Sequence, residues 1–210
     1  MARSITHDSV KGPTGPGLGG WGDGGSGQPG ATRRASLTGL LVLLTATTMI
    51  FAAFTSAFWV RRGLSNDWAP TPLPSVLWVN TAVLLVSSAM LEIARRTLKA
   101  GKRAEFNRYW TIGTGLGILF LLGQALAWRQ LEAAGVFIAS NPSSSFFYVL
   151  TASHAVHVLG GITALVYVDV KALKLQLGPG KRTAVDVCAV FWHFLDGLWI
   201  YLMILLTVWG

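Results

Sequence analysis

The chain has 210 residues, of which 52% are hydrophobic and only 12% charged, against the roughly 25% charged that is typical of soluble domains. An ordinary soluble fold is excluded on that balance, because too little surface chemistry remains to cover it. The 17 basic residues against 9 acidic ones, a formal net charge of +8, would point to nucleic acid in a soluble chain, so their positions have to be read against a bilayer first.

From Gly12 to Gly30, ten of nineteen residues are glycine, interrupted by Pro13, Pro16 and Pro29. Such a stretch buries little and loses much backbone entropy on ordering, so residues 1–34 read as a disordered, Gly-rich tail. No GxxxxGK[ST] pattern makes a phosphate loop of those glycines. Five apolar blocks follow at about 36–60, 75–98, 109–130, 143–170 and 185–209. Each reaches the roughly 20 residues a helix needs to cross about 30 Å of hydrocarbon. All eight prolines fall outside the blocks, among them Pro70, Pro72 and Pro74, Pro142 after Asn141, and Pro179 between two glycines. Helices satisfy their own backbone hydrogen bonds in lipid, and these blocks are too long for barrel strands. The predicted fold is an all-α, polytopic transmembrane bundle of five helices over residues 35–210. The first block is longer than the apolar core of a secretion signal and is followed by four more spans. Arg33-Arg34 lacks the rest of a twin-arginine pattern.

Charge orients the bundle. Arg3, Lys11, Arg33 and Arg34, the six cations from Arg95 to Arg108, and Lys171, Lys174, Lys181 and Arg182 share one side, 14 in all. The other side holds Arg61, Arg62 and Arg129. The positive-inside rule therefore predicts a cytoplasmic N-terminus and an external C-terminus. The basic excess reads as topology and contact with anionic lipid, with no nucleic-acid partner. Trp59, Trp78, Trp110, Trp128 and Trp209 stand near predicted span ends, where indoles anchor helices at the interface. The single Cys188 forms no internal disulfide or multi-cysteine metal site.

Polar chemistry gathers in the last two spans. His154 and His157 lie three apart on one helical face, as do His193 and Asp196. Counted from the inner boundaries, His157 lies roughly 20 Å deep and Asp196 roughly 17 Å, so a cross-helix contact between them is expected. A carboxylate at that depth needs a partner or water. It can be a hydrogen-bonded support, a proton or ion path, or part of a cofactor site. A haem held between His157 and His193 is permitted by counting, but there is no dense metal-ligand cluster and no HExxH sequence. Gly113 and Gly117, four apart, allow close approach of a neighbouring helix, either within the bundle or from a partner. Thr45, Thr47 and Thr48 can hydrogen-bond back to their own helix. Asn80, Ser87, Ser88 and Gln124 are polar groups expected between helices. Glu92 either pairs with Arg95 or Arg96, or serves a lipid headgroup or proton-uptake role.

Four segments then line up in one order. Asn80-Thr81-Ala82-Val83-Leu84-Leu85-Val86-Ser87-Ser88, Gly117 through Gln124, Ser145-Phe146-Phe147 through His154-Ala155-Val156-His157-Val158, and Phe191-Trp192-His193-Phe194-Leu195-Asp196-Gly197-Leu198-Trp199 resemble heme-copper oxidase subunit III in its short, bacterial five-helix form. The resemblance covers about Ala35–Gly210. It implies a non-redox subunit of a proton-translocating aerobic terminal oxidase in the bacterial inner membrane, with haems and copper in partner subunits I and II and no cofactor of its own. Implied partners are subunit I directly, subunit II, a possible subunit IV and membrane phospholipid, with cytochrome c or quinol as the complex's electron donor. A nitric-oxide reductase accessory protein shares the scaffold, and an independent transporter or cytochrome is the remote alternative. His154, His157, His193, Asp196, Glu92, Gln124 and Asn80 become structural or lipid-cleft positions, with no catalytic or metal-binding residue implied. One departure stands out: the family commonly carries an intramembrane Glu in the first of these spans, where this chain has Thr47 or Thr48, with Ala46 and Ala53 also atypical.

Overall fold

The computed structural model describes residues 29–64, 66, 68–69, 71, 73–174 and 182–209. The glycine-rich tail through residue 28, and the Gly178-Pro179-Gly180 breaker, lie outside the described residues. Five helices follow in order: α1 (Pro29–Leu64), α2 (Val76–Lys99), α3 (Arg103–Ala133), α4 (Pro142–Leu173) and α5 (Arg182–Trp209). The helix α1 thus begins at Pro29, upstream of the 34/35 boundary read from the sequence. All five are long and apolar enough to cross a membrane, and the 31 residues of α3 span about 46 Å at the helical rise. Their ends therefore pass beyond the hydrocarbon, which accounts for apolar blocks shorter than the helices.

The helix ends follow local chemistry. Positive φ at Gly101 (79°) and Gly135 (78°) closes α2 and α3 in left-handed caps, with Lys102 N–H donating to Thr97 O and Val136 N–H to Leu131 O. Asn141 starts α4 with a reciprocal cap: its side chain accepts from Ser144 N–H at 2.8 Å, and Ser144 Oγ accepts from Asn141 N–H at 3.2 Å. Pro142 then fits the first turn, where no backbone donor is needed.

Helices α2, α3, α4 and α5 close into a ring of neighbours, and α1 lies outside it against α4 and α5. The buried residues of α2 are Leu77, Asn80, Leu84, Ser87, Leu91 and Ala94. Those of α3 include Phe106, Trp110, Gly113, Gly117, Phe120, Gln124, Ala127 and Leu131. Both sets alternate steps of three and four, the spacing of knobs-into-holes packing in left-handed bundles. Among the α1 residues whose burial is described, a thin seam of Leu40, Thr47, Phe51 and Phe58 is buried, as its peripheral place requires. Thr47 and Thr48 donate back to Leu43 O and Leu44 O, at 2.9 and 2.8 Å.

The tryptophans divide by depth in the fold. Trp59, Trp78 and Trp209 are exposed, but Trp110 is fully buried. Its indole N–H donates to Leu165 O at 3.1 Å. The interfacial role read for Trp110 from its place in the sequence is corrected accordingly: it lies on the inward stripe of α3, in step with Phe106 and Gly113. Trp128 is half-buried and donates to Thr151 Oγ1 at 3.1 Å.

Candidate functional site

Small residues bring the ring helices together. An added Cβ at Gly113 would stand 2.8 Å from the Leu91 side chain, and one at Gly117 would stand 2.6 Å from Trp192 Cη2. Both glycines face into the bundle, while Gly115 between them meets nothing within 4 Å. Gly123 makes a third close approach, to Asn80 Oδ1 at 2.3 Å from its Cβ position. Asn80 is held there by its amide, which donates to Phe120 O at 3.0 Å. Two turns along, Ser87 Oγ donates to Gly113 O at 2.8 Å.

Around these contacts sits a polar, aromatic core. His154 is fully buried, its ring 5.0 Å from that of Trp199 and 6.0 Å from that of Phe120. Trp199 Nε1–H donates to Thr81 Oγ1 at 3.0 Å, joining α5 to α2. The His154 nitrogens and the Gln124 amide make no hydrogen bond among the described residues. His157, three residues on, turns elsewhere: its Nδ1 is 2.8 Å from Ser153 O and its ring packs on Phe51 of α1 at 5.6 Å.

A second cluster lies between α2 and α5, toward the end carrying Arg95, Lys99 and Lys102. Arg95 Nε donates to Glu92 Oε2 at 2.8 Å, and Arg96 Nε to Glu92 Oε1 at 2.9 Å. Glu92 Oε2 is also 3.8 Å from His193 Nε2. The other ring nitrogen, Nδ1, shares a hydrogen bond with Ser88 Oγ and lies 3.8 Å from Asp196 Oδ2. Asp196 is 5% exposed. Asp186, on the same helix about two turns before His193, stands 3.7 Å from Arg95.

This arrangement corrects one expectation. Asp196 meets His193 of its own helix and approaches Ser88 of α2, while His157 faces α1. Matched depth places two residues in one layer but leaves their direction around each helix free, and α5 turns Asp196 toward α2. For the same reason His157 and His193 do not bracket a common cofactor. Among the described residues, no group of three or more His, Cys, Asp or Glu side chains is placed to hold a metal ion. Ser88, read from the sequence as a polar group between helices, does bridge α2 to α5, whereas the sequence gives no special place to Asp186, Gly123 or Trp192. The aromatic-Trp-His segment was the one available pointer to Trp192.

The family model described as "Cytochrome c oxidase subunit III" matches residues 30–210. The chain belongs to the cytochrome c oxidase subunit III family. It is similar to the "Probable cytochrome c oxidase subunit 3" of Mycobacterium tuberculosis, 32% identical over 78% of this chain and 83% of that protein. It is also similar to the "Cytochrome c oxidase subunit 3" of Corynebacterium diphtheriae, 32% identical over 79% and 84%, and that of Synechocystis, 30% identical over 80% and 72%. The match includes all five helices, so the bundle, α1 included, is the part of the chain that the subunit III family shares.

Proposed function

We propose that this chain is the non-redox subunit III of a proton-translocating cytochrome c oxidase in a bacterial inner membrane. It packs on the haem- and copper-bearing subunit I beside subunit II, binds phospholipid, and sustains turnover and proton uptake. The observation that carries the reading is the family match over residues 30–210, joined to a core whose polar residues tie one helix to another. Asn80 links α2 to α3, Trp199 links α5 to α2, and His193 links α5 to Ser88 of α2. These residues hold a scaffold. The three intramembrane histidines occupy three separate environments, which supports placing the redox centres in partner subunits.

The distribution of 14 cations to one side and 3 to the other supports a cytoplasmic N-terminus. The outward apolar faces, such as Leu119, Leu122 and Leu126 of α3, are suited to lipid or a partner subunit. In this role Asp196, His193, Glu92, His154, His157, Gln124 and Asn80 act on assembly and lifetime.

Replacing Asp196 with Asn tests that role. The oxidase should be expressed and start at the normal rate, then lose activity faster over repeated turnovers, or dissociate more readily in detergent. Unchanged assembly together with an unchanged lifetime would contradict the scaffold assignment.

A further inference from the structure

The α2–α5 cluster has a directional layout that scaffolding does not require. Its outermost member, Glu92, is held by two guanidinium groups, so it stands as a fixed anion. Its innermost member, Asp196, has a side chain only 6% exposed, while the His193 side chain between them is 36% exposed. The two ring nitrogens of His193 are addressed separately: Nε2 faces Glu92 and Nδ1 faces Asp196, each at 3.8 Å. In the structure Ser88 Oγ shares the hydrogen bond of Nδ1, and Nδ1 must leave Ser88 to reach Asp196.

We propose that His193 is a proton carrier that loads and unloads Asp196, making Asp196 a proton-storage site within the bundle, with Glu92 the fixed anion that steadies the carrier. The half-exposed imidazole takes a proton at Nε2 from water at the polar end. The resulting imidazolium lies between two carboxylates, Glu92 and Asp196. It then passes the Nδ1 proton to Asp196 Oδ2, leaving a neutral imidazole protonated at Nε2 and a neutral carboxylic acid. Discharge runs the same steps in reverse, and no other bond changes.

The layout suits the low dielectric of the membrane. Asp196 without a proton is an isolated buried charge, whereas the His193–Asp196 pair holding one proton is neutral overall wherever that proton sits. Moving it from Nδ1 to Oδ2 therefore leaves the net charge of the pair unchanged. Each 3.8 Å separation exceeds a hydrogen bond of about 2.9 Å by a distance that side-chain rotation closes. Other charged groups at this site are Arg95, Arg96 and Asp186. Arg95 is shared by both carboxylates of the outer end. His157 of α4 faces α1 and takes no part.

The inference stands apart from the identity of the complex, because the readout is the chain's own carboxyl group. The intact complex, in detergent or native membrane, is mixed into deuterated buffer and followed by infrared difference spectroscopy. The Asp196 band is the protonated-carboxyl band that disappears in Asp196→Asn. In His193→Gln that band should remain while its deuterium exchange slows by about a hundredfold or more, the lower range of a lost proton-transfer group. Glu92→Gln should slow it in the same direction, by less, and provides the readout if His193→Gln fails to assemble. Exchange at the unaltered rate in the variant that assembles would overturn the proposal, as would the absence of any protonated-carboxyl band lost in Asp196→Asn.

Discussion

Replacing Gly117 with alanine should destabilise the assembled bundle by about 1–3 kcal/mol, the scale of overpacking in a filled core. The new Cβ would stand 2.6 Å from Trp192 Cη2 and 2.9 Å from Cζ2. Trp192 is 1% exposed and has no room to withdraw. Across its ring lies Gly161 of α4, whose own Cβ position is 3.3 Å from Trp192 Cε3. The indole is therefore seated between two glycine backbones, one from α3 and one from α4, and a methyl group must push α3 away from α5. Gly115→Ala is the internal control. Two residues along the same helix, its Cβ meets nothing within 4 Å, and its greater helix propensity favours it by up to ~1 kcal/mol. Thermal unfolding of the purified complex should put Gly117→Ala below the unaltered protein and Gly115→Ala at or above it. Equal midpoints for the two variants would contradict the packing described.

A larger loss is expected from Trp199→Ala, about 3–5 kcal/mol, as for other buried aromatic truncations. Trp199 is fully buried, with the Phe120 ring 5.1 Å away edge-on and His154 5.0 Å away. Truncation removes contacts with α3 and α4 and the indole hydrogen bond to Thr81 of α2, so three neighbours lose a common partner. Helix association in lipid depends on such packing because the surrounding tails are equally apolar. The yield of assembled complex from membranes should fall sharply, whereas Trp199→Phe, which keeps the ring contacts and loses the hydrogen bond, should recover most of it. Normal yield for the alanine variant would show that this core is not a principal source of stability.

Much of the fold is legible in the residue order because the bilayer imposes a length and proline a boundary. Five apolar blocks give five helices. Which face of each helix turns inward is harder to read, since hydrophobicity does not separate core from lipid: Leu84 is buried while Leu85 is exposed, and Phe120 is buried while Leu119 is exposed. The inward seam is marked instead by small and polar residues. Asn80 and Ser87 in α2, Gly113, Gly117 and Gln124 in α3, and Thr151 and His154 in α4 all lie on it. Direction around the axis explains the miss at Asp196, where depth alone pointed to His157. Trp110 shows the same limit: a residue at the end of an apolar block is interior because it lies on the inward stripe of its helix. The peripheral place of α1 is not legible in its hydrophobicity, because it is as long and apolar as the central helices.

The central claim is that this chain serves as subunit III within an oxidase, and its co-purifying partners test that most directly. The affinity-tagged full chain would be isolated from its own membranes in mild detergent, and its partners identified by mass spectrometry and visible absorption. The account predicts recovery with a haem-bearing subunit I and a copper-binding subunit II in equimolar amount, and no haem absorption from the chain once it is separated from them. Recovery of the chain without any haem-bearing subunit, from membranes that retain oxidase activity, would contradict it, as would haem carried by the isolated chain itself.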